Sequence, residues 1–263
     1  MRRLAILSVI VIAGIAIALT GGWFGEQPEP VTLSSVTASA VPNQPGAAHV
    51  YLTIENGAQP NRLVSVSSPE AAEARFAGMA MAEPLGLPAG GKPSLSADGV
   101  FIELSGIEGE LVEGRLIPIS LKLDPAGDVT AMARVGKPLD PHAGHAMMAM
   151  GDMAKEPLQG AGNMPPALEL SANVVDGGIV VDLKTSNFTF DPDSATPVHV
   201  PGHGHGHLYL NGLKLQRVYS THTEIGALPP GSYTLTISLN TNVHQAYMDE
   251  NGPVAASAKI TID

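Results

Sequence analysis

Hydrophobic and polar residues alternate along short segments of this chain, and a period of two predicts β-strands with one buried face. Five such segments lie in the first half of the chain and six in the second half. They span residues 48–54, 62–67, 99–104, 116–123 and 129–135, then 167–174, 178–183, 208–210, 213–219, 232–239 and 254–262. An Asn211-Gly212 pair between two of these segments predicts a two-residue hairpin turn.

This pattern predicts an all-β protein with two β-sandwich domains, residues 31–136 and 167–263. Between them, residues 137–166 have no strand period and contain five prolines, so they are predicted to form a linker. The 29 glycines and 22 prolines supply the frequent turns that such sandwiches need. Pro118 interrupts a strand segment and predicts an edge position or a bulge.

The N-terminus carries a basic start followed by an apolar run over residues 4–19, which predicts an N-terminal hydrophobic helix. Residues 1–24 are therefore a signal peptide or a membrane anchor. Ala16-Ile17-Ala18 would serve as a cleavage site, whereas Trp23 and Phe24 suit a membrane interface. We favour an anchor over residues 4–24, and either alternative places the two domains outside the cytoplasm, in the periplasm.

Composition excludes several function classes. The net charge is -11 and Lys and Arg do not cluster, so nucleic acid is not an expected partner. The chain has no cysteine, which removes disulfides, thiolate metal sites and a lipidated cysteine. Any metal must be bound by His, Met, carboxylate or backbone groups. No nucleophile elbow, phosphate-binding loop or zinc-protease motif is present, so we do not expect an enzyme.

Four of the nine histidines lie within residues 199–207, and three of them alternate with glycine. If a strand begins near His205, then His205, His207 and Tyr209 share one face, opposite the leucines at 208 and 210. Histidines spaced in this way are able to share a metal ion. His244 follows the 232–239 strand and is predicted to reach the same rim. The candidate ligands in this domain are His199, His203, His205, His207, His222 and His244.

The linker offers a second set of ligands, with two imidazoles and four thioethers in twelve residues. Flexible Met-rich segments suit Cu(I), and His serves either copper oxidation state. The alternative is a tether that binds nothing. The candidate ligands here are His142, His145, Met147, Met148, Met150 and Met153.

The first domain resembles the periplasmic copper chaperones of the PCu(A)C type. The resemblance is carried by residues 47–57, 62–69, 78–81, 87–91 and 111–121, and it covers most of residues 34–135. It implies a cupredoxin-like β-sandwich that binds Cu(I) through two His and two Met. The ligand positions of the family fall here at Phe76, Met81, Phe101 and Glu103, with Met79 beside Met81.

Because three of those four positions lack a ligand, we predict that this domain keeps the fold and has lost the metal site of the family. His49 is predicted to be structural. Through residues 187–190, 204–212, 217–219, 228–231 and 239–244, the second domain resembles a small Ig-like module of exported proteins, to which no activity is attached.

The sequence therefore predicts an extracytoplasmic copper-binding protein that chaperones, scavenges or stores copper, as Cu(I), Cu(II) or both, with zinc as an alternative. Its predicted recipient is an exported cuproenzyme or the assembly factor of one. The alternative function is a non-metal interaction module built from two degenerate sandwiches.

Overall fold

The computed structural model describes residues 30–78, 80–136, 165–192 and 199–263. Across these ranges the chain forms nineteen β-strands and no helix. The first domain contains β1 (Thr32–Ala40), β2 (Ala48–Glu55), β3 (Asn61–Ser67), β4 (Glu73–Ala77), β5 (Leu85–Leu87), β6 (Ser94–Leu95), β7 (Phe101–Ser105), β8 (Leu116–Asp124) and β9 (Gly127–Val135). The second contains β10 (Ala167–Val175), β11 (Gly178–Ser186), β12 (Thr189–Phe190), β13 (His203–Leu210), β14 (Leu213–Val218), β15 (His222–Ile225), β16 (Gly231–Thr241), β17 (Met248–Asp249), β18 (Gly252–Pro253) and β19 (Ala255–Ile262).

The predicted all-β fold is confirmed, and each of the eleven predicted segments coincides with a strand. The first strand was not predicted because its alternation is broken. A register shift between Ser34 and Thr37 interrupts its pairing with β2, and Ser35 has a positive φ of 53°. The predicted N-terminal helix and most of the predicted linker lie outside the described residues. No helix among the described residues has the length and apolarity needed to cross a membrane.

The first domain is built around β2, which pairs with β1, β6 and β7. Every second side chain of β2, from Ala48 to Ile54, is buried in the core, as a period of two requires. In β8, Pro118 pairs with Met132 of β9, whereas pairing with β3 begins only at Ser120. Pro118 therefore occupies an edge position, where its missing N–H costs no ladder bond.

The second domain has two main sheets. One contains β10, β11 and β15, and the other contains the antiparallel run β19, β16, β13 and β14. Apolar side chains of both sheets, among them Val181 of the first and Leu208 and Ile237 of the second, belong to one buried cluster. This arrangement gives the two-layer core of a β-sandwich.

The two domains are in direct contact. β14 pairs with β6 at Lys214 and Ser94, so strands of both domains belong to one extended sheet. The Val100 amide donates to the Gly212 carbonyl at 3.0 Å, and the Arg62 guanidinium donates to the Pro230 carbonyl at 2.8 Å. The buried apolar cluster also runs through both domains without a break. The hairpin of β13 and β14 is consequently held against the first domain.

Candidate metal centre

Strand β13 alternates glycine and histidine because its two faces have different space available. A Cβ on Gly206 would lie 3.2 Å from Ile237 Cγ2 and 3.3 Å from Val218 Cβ, and one on Gly204 would overlap the Asn240 carbonyl. Gly206 thus lets β13 pack closely on the core side, and Gly204 lets it approach the backbone of β16. The intervening histidines all point to the opposite face, which gathers imidazoles on one side of the sheet.

Two of these imidazoles are in contact. His205 Nε2 lies 3.0 Å from His207 Nε2, and the two residues are 0% and 3% exposed. Two nitrogens that bind the same ion, each at about 2.0–2.1 Å, lie roughly 3 Å apart. The separation therefore suits ligands of a shared metal ion.

The third imidazole comes from the turn after β16. His244 has a φ of 63°, and its amide donates to the Thr241 carbonyl at 2.9 Å, which closes the turn. Its ring centroid lies 4.9 Å from that of His205 and 6.1 Å from that of His207. One nitrogen of each of the three residues lies within 4.8 Å of the others. We call His205, His207 and His244 the His triad; it is the only such group of three or more His or carboxylate side chains among the described residues.

Burial favours the neutral form of His207. It lowers the pKa of His207, whereas the hydrogen bond to Asp98 opposes this change. A buried imidazole with a lowered pKa stays neutral at physiological pH, and the neutral form is the one that binds metal. Three imidazole ligands make a set that accepts Cu(II), Cu(I) or zinc.

The first domain contributes Asp98 to this site. Asp98 Oδ2 lies 3.1 Å from His207 Nδ1, and it also accepts a hydrogen bond from the Tyr209 hydroxyl at 3.0 Å and one from Lys214. Partial burial alone would raise the pKa of Asp98, but the His207 hydrogen bond and the Lys214 charge hold it well below its usual range. Asp98 was missed from the sequence because nothing in its Ser-Ala-Asp-Gly loop signals contact with a distant strand.

The other predicted ligands of the second domain lie outside the triad. His203 Nδ1 is 3.0 Å from Asp191 Oδ2, and Asn242 also donates to that carboxylate. His199 is half-buried and is not part of the group either. The structure thus gathers three imidazoles where the sequence predicted up to six.

The sequence left His222 either as a further ligand or as an exposed residue, and the structure places it on the surface, outside the triad. It begins β15, which pairs with β11 in the opposite sheet. Its Nδ1 lies 2.8 Å from Asp182 Oδ1, and this hydrogen bond raises its pKa. His222 is exposed and forms a surface ion pair.

In the first domain, the positions that correspond to the copper ligands of the family make packing contacts and an ion pair instead. The Phe101 ring lies 4.5 Å from the His49 ring, and Glu103 accepts a hydrogen bond from Arg75 at 2.7 Å. Phe76 pairs with Ile102 across β4 and β7.

The methionines of this domain are placed differently. Met81 is exposed. It lies beside the second domain, because the neighbouring Ala82 amide donates to the Asn211 carbonyl at 3.1 Å. Met79 and the linker ligands, residues 142–153, lie outside the described residues.

Comparison with known proteins identifies relatives of the first domain. Residues 31–135 match the LpqE-like lipoprotein family model. The Cu(I)-bound DR1885 of Deinococcus radiodurans is 31% identical over 43% of this chain and 83% of its own, with a TM-score of 0.37. The copper-bound PCuAC domain of PmoF2 is 22% identical over 43% of this chain and 97% of its own, with a TM-score of 0.38. The apo PCuAC domain of PmoF1 is 24% identical over 43% and 98%, with a TM-score of 0.38. No curated protein matches the chain significantly.

Proposed function

Since residues 31–135 form an LpqE-like domain, we propose that this protein binds copper outside the cytoplasm, with the His triad of its second domain as the binding site. The observation that carries the proposal is the convergence of three imidazoles from two separate elements, one strand and one turn. Strand alternation explains His205 and His207, but it does not explain why the His244 turn meets them.

Copper is favoured over other metals by the donors available. The chain has no cysteine, and imidazole sites bind Cu(II) more strongly than the other divalent first-row ions. The resemblance of the first domain to copper chaperones supports the same metal. Zinc is the alternative occupant, because three imidazoles with an open position also suit it.

The triad combines two buried side chains with one exposed side chain. His205 and His207 are fixed on a central strand, whereas His244 lies on an exposed turn. An incoming ion therefore meets His244 first. During release, a ligand of the recipient protein can replace His244 before the two buried imidazoles dissociate from the ion. Sequential ligand substitution of this kind suits a carrier or a store and needs no catalytic group.

The wider function follows from the same proposal. The Met and His residues of the linker, 142–153, would capture Cu(I) and pass it to or from the triad. Residues 4–24 would hold the protein at the membrane, on its extracytoplasmic side. The recipient would be an exported cuproenzyme or its assembly factor, and the protein itself acts by binding rather than catalysis.

The test is copper titration of the full chain in detergent, in Cu(II) and separately in Cu(I) with a competing chelator. A variant with His205→Gln, His207→Gln and His244→Asn is compared with a deletion of residues 142–153. The proposal expects one tight Cu(II) equivalent that only the triad variant loses, with unchanged far-UV circular dichroism. Binding no tighter than that of an unstructured His-rich peptide would contradict it and favour the non-metal interaction module.

A further inference from the structure

The loop between β6 and β7 belongs to the first domain but ends against the triad of the second. Its backbone is closed by hydrogen bonds between Ser96 and Val100 and between Gly99 and Ser96, at 2.8 and 3.0 Å. The Ser96 hydroxyl donates to Asp98 Oδ1 at 2.7 Å, which orients the carboxylate. A Cβ on Gly99 would lie only 2.8 Å from the Gly212 carbonyl, so glycine permits this close approach.

The two nitrogens of His207 face different partners. Nε2 lies 3.0 Å from His205 Nε2 within the triad. Nδ1 lies 3.1 Å from Asp98 Oδ2, and the Tyr209 hydroxyl and Lys214 Nζ each lie 3.2 Å from the same nitrogen. The Lys214 ammonium only donates hydrogen bonds, and it already donates to Asp98 Oδ2, whereas the ionised carboxylate only accepts them. Nδ1 therefore carries the proton and donates a hydrogen bond to Asp98. Nε2 is then left with its lone pair directed at the triad.

We propose that Asp98 is a positioning residue that fixes the tautomer and ring orientation of His207, so that the first domain completes the metal centre of the second. This inference rests on the metal centre proposed above. Metal-binding histidines commonly donate their second N–H to a carboxylate in this way. Here the carboxylate comes from a different domain, so removing it, or separating the domains, weakens the site without removing any ligand.

Lys214 and Tyr209 hold the carboxylate in place. Lys214 extends from β14 and is paired with Asp98, and its side chain is 15% exposed. Its positive charge balances the carboxylate, so the contact adds no net charge beside the metal. The Tyr209 hydroxyl donates to the same oxygen that faces His207. Asp98 is thereby anchored to the second domain by three separate side chains.

The first test measures the His207 tautomer in the metal-free full chain by long-range ¹H–¹⁵N correlation NMR. The wild-type protein is expected to show a protonated Nδ1 and an unprotonated Nε2, and Asp98→Ala is expected to lose that preference. A wild-type His207 protonated at Nε2 would overturn the inference, even if Asp98→Ala fails to fold.

The second test measures Cu(II) affinity and the electron paramagnetic resonance spectrum of the loaded full chain. Asp98→Ala is expected to weaken binding by about 10- to 100-fold and to change the spectrum. Two control variants should bind like the wild type: Asp128→Asn removes an exposed carboxylate of the same domain, and Arg62→Ala removes a different contact between the domains.

The outcomes separate this inference from the proposed function. Tight binding by the wild type with the same affinity in Asp98→Ala would overturn the role of Asp98 and leave the copper site standing. Absence of copper binding by the wild type would contradict the proposed function, while the tautomer would still decide what Asp98 does to His207.

Discussion

Strands β2 and β13 carry the same types of side chain on the face opposite the core, in two different surroundings. Each carries a histidine two residues before a tyrosine, His49 with Tyr51 and His207 with Tyr209, on the face opposite the core. His49 packs against the Phe101 ring, and no triad of ligands forms around it among the described residues. His207 meets His205, the turn of His244 and a carboxylate of the neighbouring domain.

The difference shows that strand position alone does not make a histidine a ligand. Alternation decides which face a side chain occupies, and long-range packing decides what it meets there. In β2 the neighbouring strand supplies phenylalanine, whereas in β13 a turn supplies a third imidazole. The chain thus has an LpqE-like domain at one end and gathers the proposed metal ligands at the other.

The largest expected effect is on copper affinity. His244→Asn should weaken Cu(II) binding by more than about 100-fold, because losing a direct ligand costs more than losing the group behind one. Asparagine tolerates the positive φ of this turn, so folding should be preserved. Isothermal titration with a competing chelator measures the change.

His49→Asn is the matched substitution in β2, and it should leave copper affinity unchanged. Equal losses in the two variants would show that the contrast between the strands is false. A loss confined to His49→Asn would move the site to the first domain.

An intermediate effect is expected on stability. Gly206→Val forces two branches into the space against Ile237 and Val218, and overpacking of this kind costs about 1–3 kcal/mol. Urea denaturation followed by circular dichroism gives the free energy of unfolding. Gly136→Val is the control, because among the described residues a Cβ there meets only the Ala38 carbonyl at 3.7 Å. A Gly206→Val variant as stable as this control would mean that β13 packs less closely than described.

The smallest effect concerns His222, an exposed strand histidine with an acidic neighbour. Its hydrogen bond to Asp182 raises its pKa in the folded state, so the pair stabilises the fold at low pH and this contribution is lost as pH rises through that pKa. Asp182→Asn should return the pKa toward its ordinary value, as NMR titration would show. Copper affinity should not change, and a marked loss would place His222 in the site.

The sequence was sufficient for eleven of the nineteen strands and for the placement of the three triad histidines. A period of two correctly placed His205 and His207 opposite Leu208, and the end of the 232–239 segment placed His244 in a turn. The pattern could not show that His203 pairs with Asp191, or that His222 starts a strand of the opposite sheet, because both depend on pairing between distant segments. Asp98 is the clearest case: its role depends on how two domains dock, and local patterns carry no information about docking.

X-ray absorption spectroscopy of the full chain loaded with one equivalent of Cu(II) tests the central claim most directly. The His triad predicts three imidazole nitrogens around the metal and no sulfur, in a spectrum that a deletion of residues 142–153 leaves unchanged. Dominant sulfur scattering, or a spectrum that changes with that deletion and not with His244→Asn, would contradict the account.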